Sequence, residues 1–317
     1  MHLQTLLLPA ATTLLLTLPP ATQAWGFYGH KTVALLASRY FLPETAQFVQ
    51  TYLYRGQSIM DAAVWADRYA HIPLGRYSKT WHYIDAQDDP PRVCEVNYNR
   101  DCAVTQALRF ILHFIGDIHQ PLHTEHAQLG GNRIKVLFHG HEANLHSIWD
   151  SKILESHRGK PTERGIISFT NDLQSRIESG EYKSEASLSN WGKCLNTSRA
   201  EECALVWAGG ANRWVCEYVL KDGEEGVEGQ ELGGEYADGA VGIIEKSIAQ
   251  AGYRLAGWMN MLVTGRDGLD EGIGRDVNGW EVLEGVKEGL EEGDREVEEQ
   301  VREMERERGF EGLRVQY

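Results

Sequence analysis

Polar groups that bind metals stand inside apolar sequence at fixed spacing. His113 and Asp117 lie four apart within 104–118, VTQALRFILHFIGDI, so a helix would send both side chains from one face. His146 and Asp150 repeat the His-x-x-x-Asp spacing in NLHSIWD. Pro121 ends the first segment and His123 follows at once; Asp67 lies in VWAD, and His82 with Asp85 in WHYID. Burying several carboxylates and imidazoles without partners is costly. A shared divalent cation offsets that cost, and imidazole nitrogen with carboxylate oxygen suits zinc. One such pair alone has ordinary readings, a hydrogen-bonded core histidine and a helix cap. Two pairs, with further His and Asp segments between the same apolar stretches, point to a metal centre. His119, His126, His139 and His141 lie nearby, and composition does not separate them from ligands. Helical phase turns His119 off the face shared by His113 and Asp117.

The elements that must position these groups read mostly as helix. Residues 30–40, 104–118 and 240–263 carry apolar side chains at helical spacing. Alternating patterns are sparse, and 133–138, RIKVLF, after Gly130-Gly131, is the best candidate for a short strand. The expected class is all-α with a minor hairpin. Three parts are expected: a leader over 1–24, a domain over 25–263, and an acidic tail over 264–317. Residues 221–235 read as a loop rich in Gly and Glu. The stretch 294–308, DREVEEQVREMERER, has charge pairs three and four apart and almost no apolar face. It is expected to be disordered or a solvated helix.

The leader has an apolar run over 3–18, then Pro19, Pro20 and small residues up to Ala24. That pattern reads as a secretory signal cleaved after Ala24, and the run is shorter than the ~20 residues a membrane anchor needs. Five cysteines, Cys94, Cys102, Cys194, Cys203 and Cys216, suit an oxidising compartment, and the odd count leaves one over. Asn196-Thr197-Ser198 is a glycosylation sequon. The net charge of -15 argues against broad, salt-driven duplex binding. It leaves room for a polyanion-binding site whose positive charge is supplied by bound metal.

The ordered series WGFYGH, VWADRY, WHYIDAQDDPP, ALRFILHFIGDIHQPLH, GGN, NLHSIWD and AGYRLAGWMN resembles the fungal zinc-dependent single-strand-specific nucleases, the S-one/P-one type, from about Trp25 to Asn260. The resemblance implies a mostly helical domain with three zinc ions. The first ion would take Asp67, His82, His113 and Asp117, and the second His123, His146 and Asp150. The third would take His30, Asp117 as a bridge, and Trp25. Cleavage after Ala24 would free an amine that, with the Trp25 carbonyl, could close a chelate on that ion. The implied activity is endonuclease and 3′-nucleotidase hydrolysis of single-stranded DNA and RNA to 5′-phosphate products, by a hydroxide held between metals. Asp67 and Asp117 are the expected catalytic carboxylates. Tyr83, Asp85, Leu129, Gly131 and Asn132 match positions near a base pocket. The alternatives are a zinc phospholipase C and a secreted, catalytically impaired zinc-binding relative.

The chain departs from that family in several places. Ala70 stands where a basic residue would assist the phosphate, with Arg68 as a candidate substitute. His141 and Ala143 replace the aromatic and acid of a second nucleotide site. The acidic tail has no family counterpart, and a segment is missing between Cys102 and Ala103. By resemblance Cys94 pairs with Cys216; Cys194 and Cys203 are close enough in sequence for a local bridge, which leaves Cys102 over.

Overall fold

The computed structural model describes residues 25–53, 57–73, 75–84, 88–94 and 107–269 of the 317-residue chain. The expected leader over 1–24, the helix over 294–308, Asp85 and Cys102 lie outside the described residues. The described chain is mostly helical, with one two-stranded sheet.

Two helices form its centre. Helix α1, Gly26–Ser38, is buried along almost its whole length and packs on α10, Glu235–Thr264, the longest element. Both are apolar around most of their circumference, which requires cover on several sides. That cover comes from α3 (Ile59–Ala63), α5 (Ala107–Asp117) and α8 (Glu163–Glu178) on one or both of them, and α2 (Pro43–Tyr52) on α10. Helix α1 starts four residues before the apolar spacing suggests, because Trp25 and Tyr28 are also core residues. Helix α10 likewise begins at Glu235 rather than 240.

Between these helices run short pieces that carry the chemistry. Helix α4, Trp65–Tyr69, follows α3 after a single residue, and a 3-10 turn spans Arg76–His82. After α5 another 3-10 turn covers Pro121–His123. The expected strand appears as β1, Lys135–Phe138, paired antiparallel with β2, His141–Asn144. The loop between them, His139-Gly140, has both φ angles positive, as a two-residue hairpin turn demands. Helix α6 (Leu145–Ser147) leads through a π turn, Ile148–Lys152, into α7 (Ile153–Arg158). Helix α9, Ala200–Trp214, completes the set.

One disulfide ties distant parts and a second closes a local loop. Cys94 is joined to Cys216 with Cα atoms 6.0 Å apart, and Cys194 to Cys203 at 5.1 Å. Both separations lie in the range that a bridge requires.

Candidate metal centre

Seven short elements send side chains to one buried place. His30 comes from α1, Asp67 from α4 and His82 from the end of the Arg76–His82 turn. His113 and Asp117 leave α5 from one face, as the four-residue spacing requires. His123 ends the next 3-10 turn, while His146 and Asp150 project from α6 and the π turn behind it. All eight are almost wholly removed from solvent.

They sort into groups whose ligand atoms converge. Asp67, His82 and His113 form one, His30, His113 and Asp117 a second, and His123, His146 and Asp150 a third. In the first region His82 Nδ1 lies 2.9 Å from His113 Nε2, and the two are 3.1 and 3.3 Å from Asp117 Oδ2. Asp67 Oδ1 is 3.5 Å from His113 Nε2 and 3.8 Å from His82 Nδ1. The other oxygen of Asp117, Oδ1, faces His30 Nε2 at 3.1 Å. One carboxylate therefore spans two groups, each oxygen serving one. In the third group His123 Nε2 and His146 Nε2 are 3.1 Å apart, and Asp150 lies 3.7 and 3.2 Å from them.

These separations fit a shared cation. Zinc holds nitrogen and oxygen ligands at ~2.0–2.1 Å, which puts neighbouring ligand atoms of a tetrahedron about 3.3–3.4 Å apart. The chemistry of the donors agrees. His113 Nδ1 faces the Ala63 carbonyl at 2.7 Å, His123 Nδ1 that of His82 at 2.8 Å, and His146 Nδ1 that of Gly130 at 2.6 Å. Each Nδ1 must donate, so in the neutral ring each Nε2 keeps a bare lone pair. Two bare lone pairs 3.1 Å apart repel unless positive charge lies between them. Asp67 Oδ2 is buried and meets no hydrogen-bond donor among the described residues.

The protonation equilibria show the same demand. Burial opposes charge on His113, but the Asp117 and Asp67 carboxylates outweigh it and push this imidazole up to about 9. Burial also opposes charge on Asp117, yet His113, His30 and His82 hold that carboxyl well below its ordinary value. In the third group burial dominates. It lowers His146 to about 4, lowers His123 strongly with the help of the neighbouring His146, and raises Asp150 well above the carboxylate range. Asp150 accepts a 2.6 Å hydrogen bond from Gln120 Nε2, which fixes its plane.

Two glycines make the arrangement possible. A Cβ on Gly116 would sit 2.7 Å from His30 Nδ1, so α5 must be bare where the ring crosses it. Gly130 has φ +58, and its carbonyl orients His146. Gln120, Gly116, Gly130 and the carbonyls of Ala63 and His82 were not assigned roles from sequence. The first three stand inside or beside quoted motifs, IGDIHQPLH and GGN, and that was their only signal.

The remaining candidates divide. Trp25 is fully buried at the start of α1, and its carbonyl oxygen accepts from the His30 amide at 3.3 Å. Tyr83 stacks on His123 with centroids 4.7 Å apart. Leu129 is half exposed, Asn132 donates to the Leu129 carbonyl at 2.8 Å, and Gly131 lies against Leu122 and Leu145. His119 is buried but turned away: its Nδ1 faces the Ile115 carbonyl, and Arg254 donates to its Nε2. His126, His139, His141 and His157 are exposed, and Ala143 sits half-buried on β2. Ala70 is buried, and the Arg68 guanidinium lies 5.4 Å from the Phe27 ring centroid. Asn196 is exposed and accepts from the Ser198 amide.

Comparison with known proteins gives the same picture. The sequence model of the family described as S1/P1 Nuclease matches residues 25–107 and 98–264. The two matches meet at 98–107, where a segment is expected to be missing. Nuclease S1 of Aspergillus oryzae (strain ATCC 42149 / RIB 40) is 35% identical over 275 residues, covering 78% of this chain and 95% of that protein. Nuclease P1 of Penicillium citrinum is 37% identical over 263 residues, covering 74% and 97%. Endonuclease 3 of Arabidopsis thaliana is 29% identical over 275 residues, covering 76% and 90%. With the family's model matched from Trp25 through α10, and fungal relatives covered almost end to end, this chain belongs to the S1/P1 nuclease family.

Proposed function

We propose that this protein is an exported zinc endonuclease and 3′-nucleotidase that hydrolyses single-stranded DNA and RNA to 5′-phosphate products. The observation that carries the reading is the convergence of five histidines and three aspartates on one buried place, with bare ring nitrogens turned inward. Three zinc ions are the proposed cofactors. When bound, zinc lowers the pKa of water and neutralises charge on phosphate oxygens.

The residues of the chain divide the remaining work. Asp67, His82, His113 and Asp117 would hold one ion; His123, His146 and Asp150 a second; and His30, Asp117 and Trp25 a third. Asp117, with one oxygen toward His30 and the other toward His82, would contribute to two of these sites. Gln120 holds the plane of Asp150, so that carboxylate does not swing away as charge changes beside it. Tyr83, stacked on His123, offers an aromatic ring beside the third group. A base reaching that ring must leave its helical stack, which favours single strands over duplex. Asp85, with Leu129, Gly131 and Asn132, is proposed to line the base pocket. Asn196 is the proposed glycosylation site, and no helix among the described residues is long and apolar enough to cross a membrane.

The test is hydrolysis of a single-stranded oligonucleotide and of its duplex by secreted protein, before and after chelation and zinc return. Metal-dependent cleavage of the single strand, with zinc near three per chain, is expected. Tight zinc binding without turnover would favour an impaired relative. Turnover of phosphatidylcholine in place of nucleic acid would favour a phospholipase.

A further inference from the structure

Outside the metal centre, one surface combines exposed aromatic rings with cations. The 3-10 turn Arg76–His82 buries Ser78 and His82 and turns Arg76, Tyr77, Lys79 and Thr80 to solvent. Tyr77 is 49% exposed. It packs edge-on against half-buried Trp81, centroids 5.1 Å apart. Trp81 leans on Phe110 at 5.5 Å, Phe110 stacks on Phe114 at 5.0 Å, and Phe114 meets His82 edge-on at 5.2 Å. Trp81, Phe110 and Phe114 belong to a small apolar cluster, separate from the main core, that also includes Trp65, Tyr69 and Ile72. The path from Tyr77 to the first metal group is therefore aromatic throughout. Arg76 and Lys79 flank its outer end, and neither pairs with a carboxylate among the described residues. In a chain of net charge -15, two such cations beside two accessible rings mark a local surface opposite in sign to the whole.

We propose that Arg76, Tyr77, Lys79 and Trp81 form a strand-holding subsite for single-stranded nucleic acid, receiving nucleotides beyond the one at the metal groups. The proposal rests on the nuclease reading above. Single-strand binders combine aromatic platforms, on which any base can stack, with cations that track the phosphates. Both parts are present here, on an element whose last residue, His82, is itself a proposed ligand and whose next residue, Tyr83, stacks on another. The polymer is thus held without sequence preference while one phosphodiester lies at the ions. The buried Phe110 ring beneath Trp81, stacked on half-buried Phe114, keeps Trp81 from collapsing inward when no strand is bound.

The experiment compares zinc-loaded full chain acting on a 20-residue oligothymidylate and on a thymidine dinucleotide, which has a single scissile bond. Tyr77→Ala is expected to lower kcat/KM on the long strand by about five- to hundredfold, since one stacked base is lost. The dinucleotide rate stays at the wild-type value, and Tyr77→Phe restores the long-strand rate. The double change Arg76→Gln, Lys79→Gln is expected to reduce the dependence of log KM on log salt by about 1.4, two phosphate contacts on a single strand. Arg76 and Lys79 are exposed, so melting of their double variant should match wild type, and Tyr77→Phe, which keeps the ring on Trp81, controls for packing in Tyr77→Ala. Equal losses on both substrates, or no loss on the long strand, would overturn the subsite. If wild type with full zinc cleaves neither substrate, the nuclease reading fails. Fluorescence anisotropy of the labelled 20-mer then decides the subsite: weaker binding by Tyr77→Ala sustains it, and unchanged binding removes it.

Discussion

Replacing Gly116 by alanine tests whether the His30 ring is held where a ligand must be. The new Cβ would lie 2.7 Å from His30 Nδ1 and 3.0 Å from Cε1, whereas ordinary contact begins near 3.4 Å. The ring, or α5, must retreat by about 0.7 Å. His30 is fully buried and stacked on His113 with centroids 3.9 Å apart, so its ring cannot retreat without moving that neighbour or leaving its place beside Asp117. Alanine gains about 0.8–1 kcal/mol in helix propensity, while overpacking costs about 1–3 kcal/mol. The net loss is then about 0–2 kcal/mol, or a melting temperature lower by at most roughly 8 °C. Function is far more sensitive, because metal–ligand distances tolerate only about 0.2 Å. The expected result is a zinc content lower by one ion per chain and nuclease activity down about 10–100-fold, in a protein that still folds. Zinc is counted by elemental analysis and activity measured on a single-stranded oligonucleotide. Full zinc content with wild-type activity would refute the reasoning, since it would mean that His30 can shift without consequence.

The other expectations concern the shell around the ions, the ions themselves, the chain start and the bridges. Gln120→Leu removes the 2.6 Å donor to Asp150 and should weaken zinc at the third group about 10–100-fold, read by competition with a zinc indicator. Chelation should lower the melting temperature by about 10 °C for each ion held at a thousand times its Kd, and zinc return should restore it. A chain beginning Met-Trp25, with the Met retained, converts the amine to an amide and should lose most activity relative to protein whose first residue is Trp25. Loss of Cys94–Cys216, which joins residues 122 apart, should cost about 4–5 kcal/mol, against about 2.5 for Cys194–Cys203, 9 apart; chemical denaturation of the two Cys→Ser pairs gives the comparison.

The parts of this centre that a helix repeats every four residues were legible in the sequence. His113 with Asp117, and His146 with Asp150, needed only the period of the α-helix and an apolar background. The second pair survives even though a π turn, Ile148–Lys152, widens the helix through Asp150. Asp67 and His82 stood out as polar groups in VWAD and WHYID, but only the resemblance joined them and His30 to particular ions, because no local period relates α1, α4 and the Arg76–His82 turn. Gln120 and the carbonyls that orient the rings stayed hidden for a different reason. A backbone oxygen has no sequence signal, and a glutamine in a turn reads as an ordinary polar residue. The hairpin is expected from the sequence, but its second arm, β2, cannot be placed there because its four residues, HEAN, carry no alternation; its place is set by the His139-Gly140 turn and by β1. Helices α8 and α9 went unnamed because each buries only a narrow stripe beneath a charged face.

The acidity of the chain looks different once it is located. Residues 270–317 carry sixteen Asp and Glu against seven Lys and Arg, so nine of the fifteen negative charges lie beyond the described domain. The part that holds the metal centre has a net charge of only about -6 by the same count, and three divalent ions would neutralise it. A polyanion approaching the domain therefore meets no strong overall repulsion. It meets local features instead: cations and rings on the Arg76–His82 turn and, with ions bound, the charge they would supply at the His and Asp groups. Local attraction of that kind falls off within a Debye length of about 8–10 Å at physiological salt, so it selects strands thin and pliable enough to lie against the surface. A duplex, stiff and with its bases stacked inside, presents phosphates to that surface but no base to Tyr77 or Tyr83. On the proposed reading, preference for single strands would follow from where the charge and the aromatic rings lie, and would need no separate device to exclude the duplex.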